Sequence, residues 1–373
     1  MNGNRSLVRD DGYYYDFRRD FERYPELFAY IIYGGRNTGK TYSVLRKCVE
    51  DNEPFAFCKN TMADIKLLCT ADSKKVRDLG IKADTSPFVS LNRDFGWNIK
   101  PFILNEYMGA FCHCDKEEMP VRGKDPVGYM LSLAAVSKYK GFDMSYIKWM
   151  ILDEFVKKLW DIRRKGEGDS IMELYKTISR DREHRGDPCL KLVALANADN
   201  CSSPLTDTLE VTDQVVSMSL KQNAELYLPE REIFLHKIRT SPEFMKKERE
   251  AKIYKAMKGT RWAAMALDND FSYNDFSQIN KINLKHCQPL LSFKYKQVTY
   301  YCYTSQDGIV ILTTKQFNAK LQHFDLNLQS DIRKFFYDYV VDLQEAATEH
   351  RIVFENFTLS QLIYDYKKLF YFT

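Results

Sequence analysis

The sequence predicts an α/β protein, with a mostly parallel sheet between helices over most of the chain and a smaller α/β domain at its C-terminal end. Three observations predict it. The apolar run "LFAYIIY" (27 to 33) leads through a glycine loop into an amphipathic segment. A second apolar run, in "YIKWMILDEF" (146 to 155), ends in two acids. From about residue 287, short strands with very short connections replace the long apolar runs.

At 373 residues the chain has room for two domains. It is 45% apolar and 28% charged, an ordinary composition for a water-soluble protein. No run of 18 apolar residues occurs, so no membrane span or membrane partner is expected. The first residues, "MNGNRSLVRDDGYYYDF", lack the apolar stretch of a secretory signal. The nine cysteines are scattered without a C-x-x-C pair, which suits reduced thiols better than a zinc site at Cys112 and Cys114. The net charge of +4 neither demands nor excludes nucleic acid, because a local basic face suffices.

Taken in order, the first feature is Tyr13 to Tyr15, which suits stacking on adenine and an ordinary packed aromatic run equally well. The strand at 27 to 33 follows, then Gly34, Gly35, Arg36, Asn37, Thr38, Gly39, Lys40 and Thr41. Val44, Leu45, Cys48 and Val49 fall on one face of the helix beyond. Strand, glycine loop, helix is the context that makes G-x-x-x-x-G-K-[ST] a phosphate-binding loop. Glycines let consecutive N–H groups turn inward on phosphate oxygens, and the helix N-terminus adds positive potential. Lys40 is expected on the β- and γ-phosphates of ATP, and Thr41 on Mg2+.

The strand ending at Asp153 and Glu154 supplies the second half. Asp153 is placed to hold the Mg2+ shell, and Glu154 to orient and polarise the attacking water. An N-K-x-D base-reading element is absent, so the pair argues for an ATPase with its own general base, the ASCE type of P-loop protein. A third apolar run, "LKLVALA", ends just before Asn197, where an amide could sense the γ-phosphate or the water. Arg180, Arg182 and Arg185 crowd the turn ahead of it, either solvated and paired with acids or supplying an arginine to a neighbouring subunit's ATP. The aromatic loop "SKYKGFD" (137 to 143) carries Lys138 and Lys140, and "FVKKLWDIRRK" (155 to 165) carries Lys157 and Lys158. Such loops can meet phosphates in a pore without reading bases, and can equally be a solvated basic surface.

Residues 229 to 261 read as a helical connection, with Ser241 as N-cap, Pro242 in the first turn and Gly259 as the stop. Beyond 287, "PLLSFKYKQ", "VTYYCYTS" and "GIVILTT" form a meander, with a turn at Asp307 and Gly308. A helix behind Ser330, a strand at "RIVFEN" and a final helix at "TLSQLIYDYKKLF" complete it. The domains are therefore expected at 1–228, 229–286 (a helical linker or lid) and 287–373.

"GGRNTGKT", "MILDEF" and "SRDREHR…LANADN", with "MALDNDFSYNDFSQ" (265 to 278), resemble the DNA-packaging ATPases of small, short-tailed, protein-primed phages, distant relatives of terminase large subunits. The resemblance implies a homomeric ring, a pentamer, that hydrolyses ATP between subunits and drives double-stranded viral DNA into a procapsid. It would work in the host-cell cytoplasm, docked on the capsid portal directly or through an RNA adaptor. Lys40, Thr41, Asp153 and Glu154 match the family's nucleotide and catalytic positions, Asn197 its coupling position and Arg180 its trans-acting arginine. Arg36 matches an arginine that many terminases carry, and Lys138, Lys140 and Lys157 fall near its DNA-gripping residues. The C-terminal pattern resembles the RNase H-like fold of terminase nucleases. An active nuclease of that kind needs a carboxylate on the first strand. "LLSFKYK" offers Ser292, Lys294 and Lys296 instead, so the domain is expected to be nuclease-inactive. Two other readings differ in kind: a terminase that also cuts DNA or a helicase-type translocase, and a nucleotide-controlled assembly scaffold.

Overall fold

Strand β1, Ala29–Tyr33, is buried along its whole length inside the larger sheet. It pairs in parallel with β7 (Lys191–Ala196) on one side and β9 (Ile233–Lys237) on the other. A strand covered on both faces needs an unbroken apolar run, which "AYIIY" and "LVALA" supply. The computed structural model describes residues 14–69, 85–157, 166–260, 263, 271, 274–317 and 320–370. They divide into two compact units, Met1–Tyr273 and Asn274–Thr373.

In the first unit the sheet runs β3-β4-β5-β2-β6-β7-β1-β9-β8. Its parallel centre comprises β5 (Gly128–Ser132), β2 (Phe55–Lys59), β6 (Trp149–Asp153), β7, β1 and β9. Antiparallel strands flank it: β3 (Ile99–Ile103) and β4 (Met108–His113) at one edge, β8 (Glu225–Leu228) at the other. Because β7 lies between β1 and β6, the glycine loop and the two acids leave the same sheet end with one strand between them. Ligands bind beyond the carboxyl ends of such parallel strands.

The core beneath is aromatic. Phe17 meets Tyr30 and Trp149 edge-on, with ring centroids 5.3 and 5.7 Å apart. Lys47 is sealed into this cluster, only 1% exposed, with Nζ 4.3 Å from the ring centres of both Phe21 and Trp149. Its charge is met by Glu53, which also accepts from Trp149 Nε1 at 2.7 Å, and by Asp51 at 3.2 Å.

Two expectations need correction here. The connection placed at 229–286 is not helical throughout: after a 3-10 turn at Pro229–Arg231, β9 pairs back on β8 as an antiparallel hairpin and joins the main sheet beside β1. Ile233, Phe234 and Leu235 are buried there, an apolar triplet too short to stand out among charged neighbours. The single helix expected to run to Gly259 is two, Pro242–Glu250 and Lys252–Ala256, broken where Ala251 turns extended at ψ 142°. Ser241 does cap it, accepting from Phe244 N at 3.1 Å.

The second unit has the sheet β13-β10-β11-β12-β14. The meander of β10 (Gln288–Tyr295), β11 (Val298–Thr304) and β12 (Val310–Thr313) carries parallel strands at its edges, β13 (His323–Asp325) and β14 (Ile352–Phe354). Helical residues Gln329–Thr348, with a wide π turn at Phe336–Val340, and the helix Phe357–Tyr364 cover one face through Phe335, Val340, Leu359 and Leu362. Among the described residues no helix is long and apolar enough to cross a membrane.

Candidate nucleotide site

The loop after β1 depends on two glycines. Gly39 caps the Lys40–Glu50 helix at φ 88°, a left-handed conformation that a side chain would strain. Gly34 donates to Ala196 O at 3.0 Å, and a Cβ on it would lie 2.7 Å from Ile238 Cδ1 and 3.1 Å from both Lys40 and Thr38. The N-terminal segment straps the loop from outside. Tyr15 N donates to Thr38 O at 2.9 Å, and Phe17 N to Ser43 Oγ at 2.6 Å. Tyr14 lies against Gly39 and meets Phe244 edge-on at 5.8 Å, so this tyrosine packs; Tyr13 lies outside the described residues.

A cavity of about 320 Å³ opens above the loop, lined by Arg36 to Tyr42, Asp153, Glu154 and Leu195 to Asn197. Lys40 Nζ donates to Gly35 O at 2.7 Å, Gly34 O at 3.0 Å and Asn197 Oδ1 at 3.3 Å. Burial among neutral carbonyls outweighs the attraction of Asp153 and lowers its pKa to about 8. Thr41 Oγ1 donates to Asp153 Oδ1 at 3.0 Å. Glu154 follows with φ 58°, left-handed for a residue that has no need of it, and its side chain is 75% exposed. Strain of that kind, of order 1 kcal/mol or more, persists where the surroundings over-determine it and clusters at functional sites.

The donor set fits a nucleotide with its metal. The loop stands at a helix N-terminus and offers a cation and no room for a Cβ at Gly34; the Thr41 hydroxyl and Asp153 carboxylate that meet beside it are oxygen ligands of the kind Mg2+ takes.

Sequence reasoning missed Lys59. It ends β2 and reaches Asp153 Oδ2 at 2.9 Å and Glu154 Oε2 at 3.6 Å. Burial pushes its pKa down, yet the two carboxylates more than offset this and leave it raised. The only signal was a cation at the end of an apolar run.

The remaining candidates lie apart from the cavity. Arg180 is exposed at the end of the Glu167–Ser179 helix, at φ 51°, and its guanidinium donates to Phe142 O. Lys138 and Lys140 are exposed, Lys138 over the Tyr107 ring at 5.6 Å and Lys140 3.7 Å from Glu173. Lys157 is 10% exposed and faces Glu167, on the next helix, at 3.4 Å. Lys158 lies outside the described residues, as does most of "MALDNDF".

In the second unit β10 presents Ser292, bonded to His323 at 2.9 Å, and Lys294, opposite Asp325 on β13. Among the described residues no group of three or more His, Cys, Asp or Glu is placed to hold a metal ion.

The chain matches no family model and no curated protein. Its fold is found in two solved phage motors. Over 95% of this chain and 99% of the other it aligns with a chain of the bacteriophage Phi-29 viral genome packaging motor assembly, at TM-score 0.63 and 16% identity. Over 92% and 94% it aligns with the Phi-28 DNA packaging motor, at TM-score 0.57 and 16% identity. The chain therefore shares the fold of these two chains, a large unit built on a mostly parallel sheet followed by a smaller α/β unit.

Proposed function

We propose that this chain, with the fold of a phage packaging motor protein, is the ATPase that drives double-stranded viral DNA into a procapsid. The observation that carries the proposal is the convergence of Lys40, Thr41, Asp153, Glu154 and Asn197 on one cavity. Lys40 and the loop N–H groups bind the phosphates of ATP, while Thr41 and Asp153 hold Mg2+, which when bound neutralises charge on the phosphate oxygens. Glu154 orients the attacking water and takes up its proton. Asn197, bonded to Lys40 and leading out of β7, ties occupancy of the phosphate site to movement at the strand end.

Arg180 lies outside the cavity lining of its own chain, which supports a role in a neighbour's site and hence a homo-oligomeric ring, a pentamer by resemblance. Exposed Lys138 and Lys140 contact DNA phosphates in the pore. The ring acts in the host-cell cytoplasm on the capsid portal, directly or through an RNA adaptor. β10 has no carboxylate at all, which supports a second unit without nuclease chemistry. The test is steady-state ATP turnover per subunit against protein concentration, with and without blunt double-stranded DNA. A shared-site motor speeds up with both, and turnover indifferent to both contradicts the proposal.

A further inference from the structure

One buried cation takes no part in the nucleotide site. Arg182, two residues beyond Arg180, is 4% exposed, and among the described residues no carboxylate forms an ion pair with it. Its guanidinium is spent on main-chain carbonyls. Nη2 donates to Ser145 O at 2.9 Å and Ile178 O at 3.4 Å, and Nε donates to Ser179 O at 3.3 Å. Ile178 and Ser179 close the Glu167–Ser179 helix, whose last carbonyls have no partner within the helix and sit at its negative end. Ser145 belongs to another segment, the turn that follows Lys138 and Lys140.

That turn is held at its other end by Tyr139. Its buried hydroxyl accepts from Ser132 N at 2.8 Å and donates to Tyr107 O at 2.7 Å. Between the two anchors, Lys140, Gly141, Phe142 and Asp143 are exposed. The tip is internally ordered, since Ser145 N donates to Asp143 Oδ1 at 3.0 Å, and Arg180 donates to Phe142 O. Both arginines of the 180–182 turn thus end on carbonyls of the 142–145 turn.

We infer that Arg182 is a positioning residue: it fixes the 142–145 turn to the end of the Glu167–Ser179 helix, so that the DNA-contact loop and Arg180 move as one body. A phosphate drawn to Lys138 or Lys140 then displaces Arg180 with it, and through Arg180 the neighbouring subunit's site responds to DNA. The inference rests on the motor reading above and adds to it the part that carries the DNA signal.

The test uses the full chain and two variants, Arg182→Met, which keeps apolar bulk but donates nothing, and Arg182→Lys, which keeps the charge. The readout is the ratio of ATP turnover with blunt double-stranded DNA to turnover without it, together with KM for ATP. Losing charged donors to three main-chain carbonyls should lower the ratio about tenfold in Arg182→Met. KM and DNA-free turnover should stay within about twofold, as Arg182 does not line the cavity, and Arg182→Lys should recover part of the ratio. An unchanged ratio overturns the inference, and so does a loss in which KM and DNA-free turnover fail together with it. A wild type that DNA does not stimulate overturns the motor reading and this inference with it. If neither variant folds, amide hydrogen exchange on the wild type decides: DNA should slow exchange in 138–146 and in 178–186 together, and protection of the first alone overturns it.

Discussion

Lys59 and Asp153, 94 residues apart in sequence, form an ion pair at 2.9 Å on the same carboxylate that accepts from Thr41. Asp153 is thus divided between a hydroxyl, Thr41 on Oδ1, and a cation, Lys59 on Oδ2. Lys59 also stands 3.6 Å from Glu154, so it neutralises two adjacent carboxylates that would otherwise repel. In removing that repulsion it also competes for the charge a metal ion needs.

Replacing Lys59 by Met should therefore favour the metal. The Mg2+ concentration giving half-maximal ATP turnover should fall about three- to tenfold, the discount for partial exposure included. A Mg2+ titration at saturating ATP measures it. A higher Mg2+ requirement in the variant would mean that Lys59 organises Asp153 for the ion and does not compete with it.

On the proposed function, Lys40 should make ATP binding pH-dependent. Burial lowers its pKa to about 8, so the free site loses its cation as pH rises through 8, whereas bound phosphate holds the proton and raises the pKa. ATP affinity should be flat below pH 7 and then weaken towards tenfold per pH unit above 8, until the bound-state pKa is reached. Fluorescent-nucleotide titrations between pH 6.5 and 9.5 give the profile, and Lys40→Ala should flatten it.

The first unit has an acid-sensitive joint around Lys47. Burial alone would raise the Glu53 carboxyl, but the bonds from Lys47 and Trp149 outweigh it and leave the pKa lowered. A depressed carboxylate stabilises the fold above its unfolded pKa and loses that contribution as pH falls through the folded value. Glu53→Gln should cost about 2 kcal/mol at pH 7, with the wild-type advantage shrinking below pH 4.5. Thermal melts of both proteins from pH 3 to 8 show whether the curves converge in acid.

Nuclease chemistry should be missing from the second unit. With Ser292 and Lys294 as the polar groups at the middle of β10, Mg2+ has no first-strand carboxylate to bind. A supercoiled plasmid incubated with the protein and Mg2+ or Mn2+ should stay intact. Metal-dependent nicking that survives Lys40→Ala would contradict this.

The nucleotide loop could be read in advance because its chemistry is local. Gly34 to Thr41 are consecutive, and a side chain at Gly39 would strain the φ of 88° found there. Asp153 and Asn197 could be read because each follows a long apolar run, and position at a strand end is all their placement requires. Lys59, Arg182 and the Lys157–Glu167 pair could not, because each is defined by a partner on another segment and a basic residue alone reads as solvated surface. β9 and β13 escaped for a different reason: three buried residues in one and three residues in all in the other are too few to show a period.

The central claim is that Glu154 of one subunit and Arg180 of the next complete one site, and mixing two inactive variants tests it most directly. Arg180→Ala and Glu154→Gln are each assayed alone and then together, at fixed total protein with double-stranded DNA. Interfaces that pair an intact Glu154 with an intact Arg180 form only in the mixture, so turnover should reappear at a substantial fraction of the wild-type rate. A mixture no faster than the sum of the two separate variants would contradict the account and place both residues, if they act at all, within a single chain.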